Sequence, residues 1–211
     1  MAEQAHEHDR PLFSDAQDVH RLTVDVPLSL RDFQGQYERA VPPLPREEVD
    51  ALGARGAPWS EMNDLIASAA PFGFLIYWKN EAHNIMRLAA DTAKGTFYLM
   101  GNHTIAERMY RYQSAAMLSA PLHTMIWDSP DGATHFTFDR PSDQFGSFEI
   151  PAITAVGLEL DQKLADLLDH LGLPVPEQLS HAQQGRPRLF STTSERATPR
   201  ERQWPKTQQN G

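Results

Sequence analysis

Nine histidines and no cysteine set the chemistry open to this chain. Without a thiol there is no disulfide, no thiolate nucleophile and no sulfur-ligated zinc or iron–sulfur site. Two of the histidines fall in a stretch of alternating character: His123, Met125 and Trp127 on one run, then His135, Thr137 and Asp139 on the next. Alternate residues of a strand share a face. A hairpin here gathers both imidazoles, a carboxylate and an aromatic surface on one side and leaves Ile126, Phe136 and Phe138 as the core side. With the turn centred near Pro130 to Gly132, His123 and His135 are expected as diagonal neighbours, about 7 Å apart at the backbone. Imidazoles so placed can pass a proton or share a ligand, with Asp139 orienting one of them. His123, His135 and Asp139 are therefore the candidate catalytic residues, with Met125 and Trp127 as candidate ligand contacts. The same face also has the make-up of a subunit interface, where aromatic side chains and methionine are enriched. A metal site needs at least three converging ligands; none is assigned, and no cofactor is implied.

A third imidazole, His103, follows Gly101-Asn102 where a strand gives way to a helix. Helix N–H groups and the helix dipole favour an anion at such a turn, and Arg108 or Arg111 can hold a negatively charged ligand beside His103. The plainer alternative is a pair of solvated arginines. Tyr77, together with Trp78, Tyr98 and Trp127, supplies aromatic surface for an apolar pocket, although sheet packing accounts for it equally. The His6-x-His8 pair near the start lacks a third fixed ligand. No Gly-x-Ser-x-Gly elbow, Gly-x-Gly-x-x-Gly turn or Walker loop occurs, so nucleophilic hydrolysis and nucleotide binding have no recognisable machinery.

The elements that must carry these residues follow from periodicity. His20–Val26 alternates as a half-buried strand, and Ser29 offers a helix N-cap with Asp32 behind it and Leu30, Phe33, Tyr37 and Val41 on one face. A proline-rich, acidic connection over 41–58 leads to a short helix capped by Ser60. The continuous apolar run Phe72–Trp78 is expected as a central strand covered on both faces, and a helix is expected from Asn80 to about Ala93. Thr96–Met100 is the next strand. Thr104 and Glu107 have capping-box spacing, so a helix is expected to begin at Thr104. After the hairpin, Pro151 opens the strongest amphipathic repeat, through Ile153, Leu160, Leu164, Leu167 and Leu171, with Gly157 marking close packing on the sheet. Residues 1–18 read as a mobile arm, 19–175 as one α+β domain with a mainly antiparallel sheet packed by helices, and 180–211 as a disordered, locally basic tail.

The stretch from about Phe72 to Leu171 resembles the bacterial family known as domain of unknown function 302. The resemblance rests on a strand ending in Gly101-Asn102, a helix, Ala120-Pro121-Leu122 opening a strand, an acidic-Gly turn, and the close Asp139-Arg140-Pro141-Ser142. It implies a compact α+β domain that pairs as a homodimer, and it implies no reaction. This chain places His103 and His123 where proline and arginine are expected in relatives.

Overall composition bounds the function. With 211 residues, 40% hydrophobic, the chain can bury a sizeable core. A formal net charge of −9 opposes general binding to nucleic acid. No apolar run is long enough to span a bilayer and the first residues lack a signal-peptide core, so a cytoplasmic protein is expected. The leading expectation is a binder of a small, largely apolar metabolite in a pocket between sheet and helices. The alternatives are a cofactor-free isomerase, cyclase or hydrolase using histidine acid–base chemistry, and a dimeric interaction module without catalysis.

Overall fold

Five alternating segments build the sheet: β1 (Arg21–Val26), β2 (Leu75–Asn80), β3 (Gly95–Gly101), β4 (Leu122–Asp128) and β5 (Thr134–Asp139). In the computed structural model, which describes residues 16–180, they pair antiparallel in the order β1-β5-β4-β3-β2. Residues 1–15, with His6 and His8, and the tail from residue 181 lie outside the described residues. One face of the sheet is the core: Leu22 and Val24, Tyr98 and Met100, Ile126, Phe136 and Phe138 are buried there. The fold class read from the sequence, an antiparallel sheet packed by helices, is the one observed.

The helices are α1 (Leu30–Ala40), α2 (Arg46–Ala54), α3 (Trp59–Ala69), α4 (His83–Met86), α5 (His103–Tyr110), α6 (Pro141–Gly146) and α7 (Pro151–His170). Ser29 caps α1 as its sequence requires, its hydroxyl accepting the Asp32 N–H at 3.2 Å, an interaction that contributes about 1 kcal/mol. Phe33 then meets Phe136 edge-on at 5.8 Å and Tyr37 meets Tyr98 at 5.0 Å. The amphipathic repeat of α7 buries Ile153, Leu160, Leu164 and Leu167. A buried carboxylate, Asp161, anchors α7 to the end of β5: it accepts Arg140 Nε at 3.1 Å and the Ser142 N–H at 2.9 Å.

Several local expectations are corrected. The apolar run at 72–78 is not central but feeds the edge strand β2. Only its middle is covered on both faces: α3 and the 42–45 segment pack outside it, with Leu75 against Ile66 and Ala70, and Pro43 bridges Ile76 along its free edge, while Trp78 stays 48% exposed. Gly157 packs on α6 rather than on the sheet: a Cβ there would lie 3.0 Å from Phe145 Cβ and from Ser142 Cα. The helix expected over 80–93 shrinks to α4 and one 3₁₀ turn, because Ile85 and Leu88 find no core and stay 64% and 84% exposed; a short helix without a buried face does not propagate. The connection over 41–58 contains α2, a surface helix with no fully buried residue. Ser60 caps nothing, since α3 begins at Trp59 after Pro58.

Candidate functional site

The side chains singled out by their chemistry divide between two sides of the sheet. On the outer face the pairing registers set them in rows. Arg21 lies opposite Asp139 and holds both its oxygens, at 2.8 and 3.2 Å. Thr23 meets Thr137 at 2.9 Å, and Trp127 Nε1 donates to the same Thr137 hydroxyl at 2.9 Å. Asp25 pairs with His135 Nδ1 at 3.0 Å, while His135 Nε2 lies 3.0 Å from the Ser129 hydroxyl and the ring stacks on Trp127.

This register corrects the expected histidine pair. Asp128 meets Thr134 and Trp127 meets His135, so a turn centred on Asp131 brings His135 level with Trp127 and leaves His123 four residues further along β4. Four residues of strand span about 13 Å. The two imidazoles therefore do not share a ligand or a proton. His123 stacks on Phe97 with ring centroids 5.5 Å apart, Asp139 is committed to Arg21, and both nitrogens of His135 are engaged. The outer face still forms a groove of about 600 Å³, floored by Phe97, Met125 and Trp127 and walled by Met86, His83 and Lys94 from the segment before β3. Among the described residues no three histidine or carboxylate side chains converge as a metal set.

The second concavity lies on the other side, where the end of the sheet meets the helices. It measures about 210 Å³ and is walled by Phe74 and Tyr77 from β2 and its approach, Ile105 and Met109 from α5, Met117, Pro121 and Leu122 before and within β4, and Phe145 and Leu160 from α6 and α7. Gly101 keeps one wall thin, since a Cβ there would touch Pro121 and Tyr77 at 3.3 and 3.4 Å. No Asp, Glu, Lys or Arg lines it. Its polar groups are Asn102 and the hydrogen-bonded pair of the Tyr77 hydroxyl and His103 Nδ1, whose rings lie 4.9 Å apart.

Burial holds the His103 imidazole below its ordinary pKa, with the charge of Arg46 adding to the effect. Burial likewise raises the Tyr77 hydroxyl, opposed by a hydrogen bond from the His103 backbone N–H. Both side chains are accordingly neutral near pH 7. The anion expected at this turn has no place: Asn102 Oδ1 accepts the Thr104 and Ile105 N–H groups at 2.9 and 3.2 Å. Asn102, rather than a Thr104–Glu107 box, is the cap, and the helix starts one residue early at His103. Glu107 instead pairs with Arg111, and Arg108 with Glu159 at 2.8 Å. Arg111 lines neither concavity.

Of the residues singled out in the sequence, the structure thus joins Tyr77 with His103 in the inner pocket, and sets Met125, Trp127, His123 and Asp139 along the outer groove. Sequence reasoning did not find the Tyr77–His103 contact, which joins positions 26 residues apart, nor the Arg21 and Asp25 partners on β1. Alternation had already put Arg21 and Asp25 on the polar face of that strand.

Comparison with known proteins bears on the fold. No curated protein matches the sequence. Among solved structures the chain is similar to an uncharacterized conserved protein DUF302 from Bacillus stearothermophilus, with a TM-score of 0.52 and 15% identity over 72% of this chain and 97% of that one. At that identity the likeness speaks for the fold alone. The family model described as domain of unknown function DUF302 matches residues 62–171, starting inside α3 rather than at Phe72 and running through the edge strand, the Asn102-capped helix, the hairpin and α7. With just over half of its length so matched, the chain belongs to the DUF302 family.

Proposed function

We propose that this domain binds a small, largely apolar molecule in the inner pocket between sheet and helices, with Tyr77 and His103 as its polar contact. The observation that carries this reading is a concavity of about 210 Å³ walled by methionine, aromatic and aliphatic side chains, with one neutral polar pair and no charged side chain. Apolar sites with a few placed polar groups are the usual form of small-molecule pockets, and an apolar cavity of about 150 Å³ is enough to hold benzene. A ligand of one ring with a short substituent fits. The alternative, an acid–base enzyme, would use His103 in this pocket or His123 or His135 singly, since the β4–β5 register separates the outer pair. Native mass spectrometry of the protein purified untagged from its own source tests the reading: a retained organic mass of single-ring size is expected, and uniformly bare protein in gently handled samples argues against it.

The homodimer implied by the family resemblance is proposed for the outer side. Trp78, Ile85, Met86 and Leu88 are 48%, 64%, 51% and 84% exposed there or on the adjoining segment. Large apolar side chains gathered on one side of a domain favour association.

A further inference from the structure

The hydrogen bonds around Tyr77 say more about the ligand than the apolar walls do. The phenol hydroxyl of Tyr77 lies in hydrogen-bond contact with His103 Nδ1. A hydroxyl has one proton to give and lone pairs with which to accept. A phenol O–H is a stronger donor than a neutral imidazole N–H, and an imidazole nitrogen a stronger acceptor than a phenol oxygen, so the hydroxyl proton goes to Nδ1. Nδ1 is thereby the acceptor, and the neutral ring must carry its own proton on Nε2. His103 then presents the pocket with a donor and no charge. Asn102 is largely committed: one of its two amide N–H groups donates to the Gly73 carbonyl at 3.0 Å, and its oxygen is occupied by the start of α5. The helix N–H groups that would attract a carboxylate are taken by the same oxygen.

Building on the pocket assigned above, we infer that its ligand class is uncharged molecules of single-ring size bearing one hydrogen-bond acceptor, a ketone, aldehyde or amide carbonyl, received by the Nε2–H of His103. Anions are disfavoured, since no charged side chain lines the pocket and Arg46, whose charge reaches His103, donates to the Tyr77 backbone carbonyl at 3.0 Å, while a buried carboxylate loses far more hydration than one imidazole N–H returns.

Three probes of similar shape separate this inference from the reading beneath it: ethylbenzene, acetophenone and benzoate, each titrated into the full chain while the methyl resonances of Met109 and Met117 are followed by NMR. Acetophenone is expected to bind about three- to tenfold more tightly than ethylbenzene, the worth of one buried hydrogen bond, with benzoate weakest of the three. In His103→Leu, acetophenone and ethylbenzene should bind alike. Equal affinity of those two probes for the native protein, or benzoate as the tightest, overturns the inference while leaving the pocket standing. If none of the three moves either methyl, both the pocket and the inference fall. The ranking on the native protein decides the matter even if the variant does not fold.

Discussion

His103 carries a titration with a direct consequence for the proposed pocket. Its pKa is depressed in the folded chain, by burial first and Arg46 second, so the unfolded chain binds the proton more readily. The stability linked to it is present above the unfolded value of about 6.5 and is lost as pH falls below that value. Urea denaturation between pH 7.5 and pH 5 should therefore show a falling stability whose slope is shallower in His103→Gln. Identical slopes would mean that the imidazole is not held neutral by its surroundings. The sequence marked His103 because an imidazole at a strand-to-helix turn is chemically conspicuous, and it marked Tyr77 as aromatic surface. It pointed to an anion because helix N–H groups are the general attraction at such a turn, and the side-chain oxygen Oδ1 of the neighbouring Asn102 fills that role first.

Among the elements, α5 holds His103 in place, and its start distinguishes two caps that the sequence allows. Asn102→Ala should cost about 1 to 2 kcal/mol through loss of the capping oxygen, whereas Glu107→Ala, which removes an exposed pair with Arg111, should cost no more than about 0.5 kcal/mol. Equal losses in thermal or urea unfolding would restore the capping box. The strands, α1 and α7 were legible because their buried positions repeat with a clean period, as in Leu22-x-Val24-x-Val26 and Ile153 to Leu171. Two kinds of feature were not. Strand order depends on which segment covers Leu75 and Tyr77, and that cover comes from α3 and Leu44, chosen by tertiary packing. The spacing of the histidines is the other: the turn lies where the sequence places it, and counted from Asp131 it sets His135 opposite Trp127, two rows from His123, so the expected diagonal contact miscounted the pairs across that turn.

For the molecule as a whole, the sheet separates two surfaces with different characters: an inner pocket of uncharged walls, and an outer face of paired polar rows beside exposed apolar side chains. If the outer side joins two copies, the double variant Ile85→Glu, Leu88→Glu should halve the mass seen by light scattering without altering the circular dichroism, since both residues stand outside the core. An unchanged mass would remove the apolar segment from the interface. No helix among the described residues is long and apolar enough to cross a membrane. The inner pocket is tested most plainly by benzene, which has no polar group and needs only an accessible apolar volume. Saturable shifts of the Met109 and Met117 methyls are expected, and they should vanish in Ala106→Phe, whose ring occupies the pocket. Methyl resonances that ignore benzene in the native protein, or that respond equally in the filled variant, would contradict a ligand site between sheet and helices.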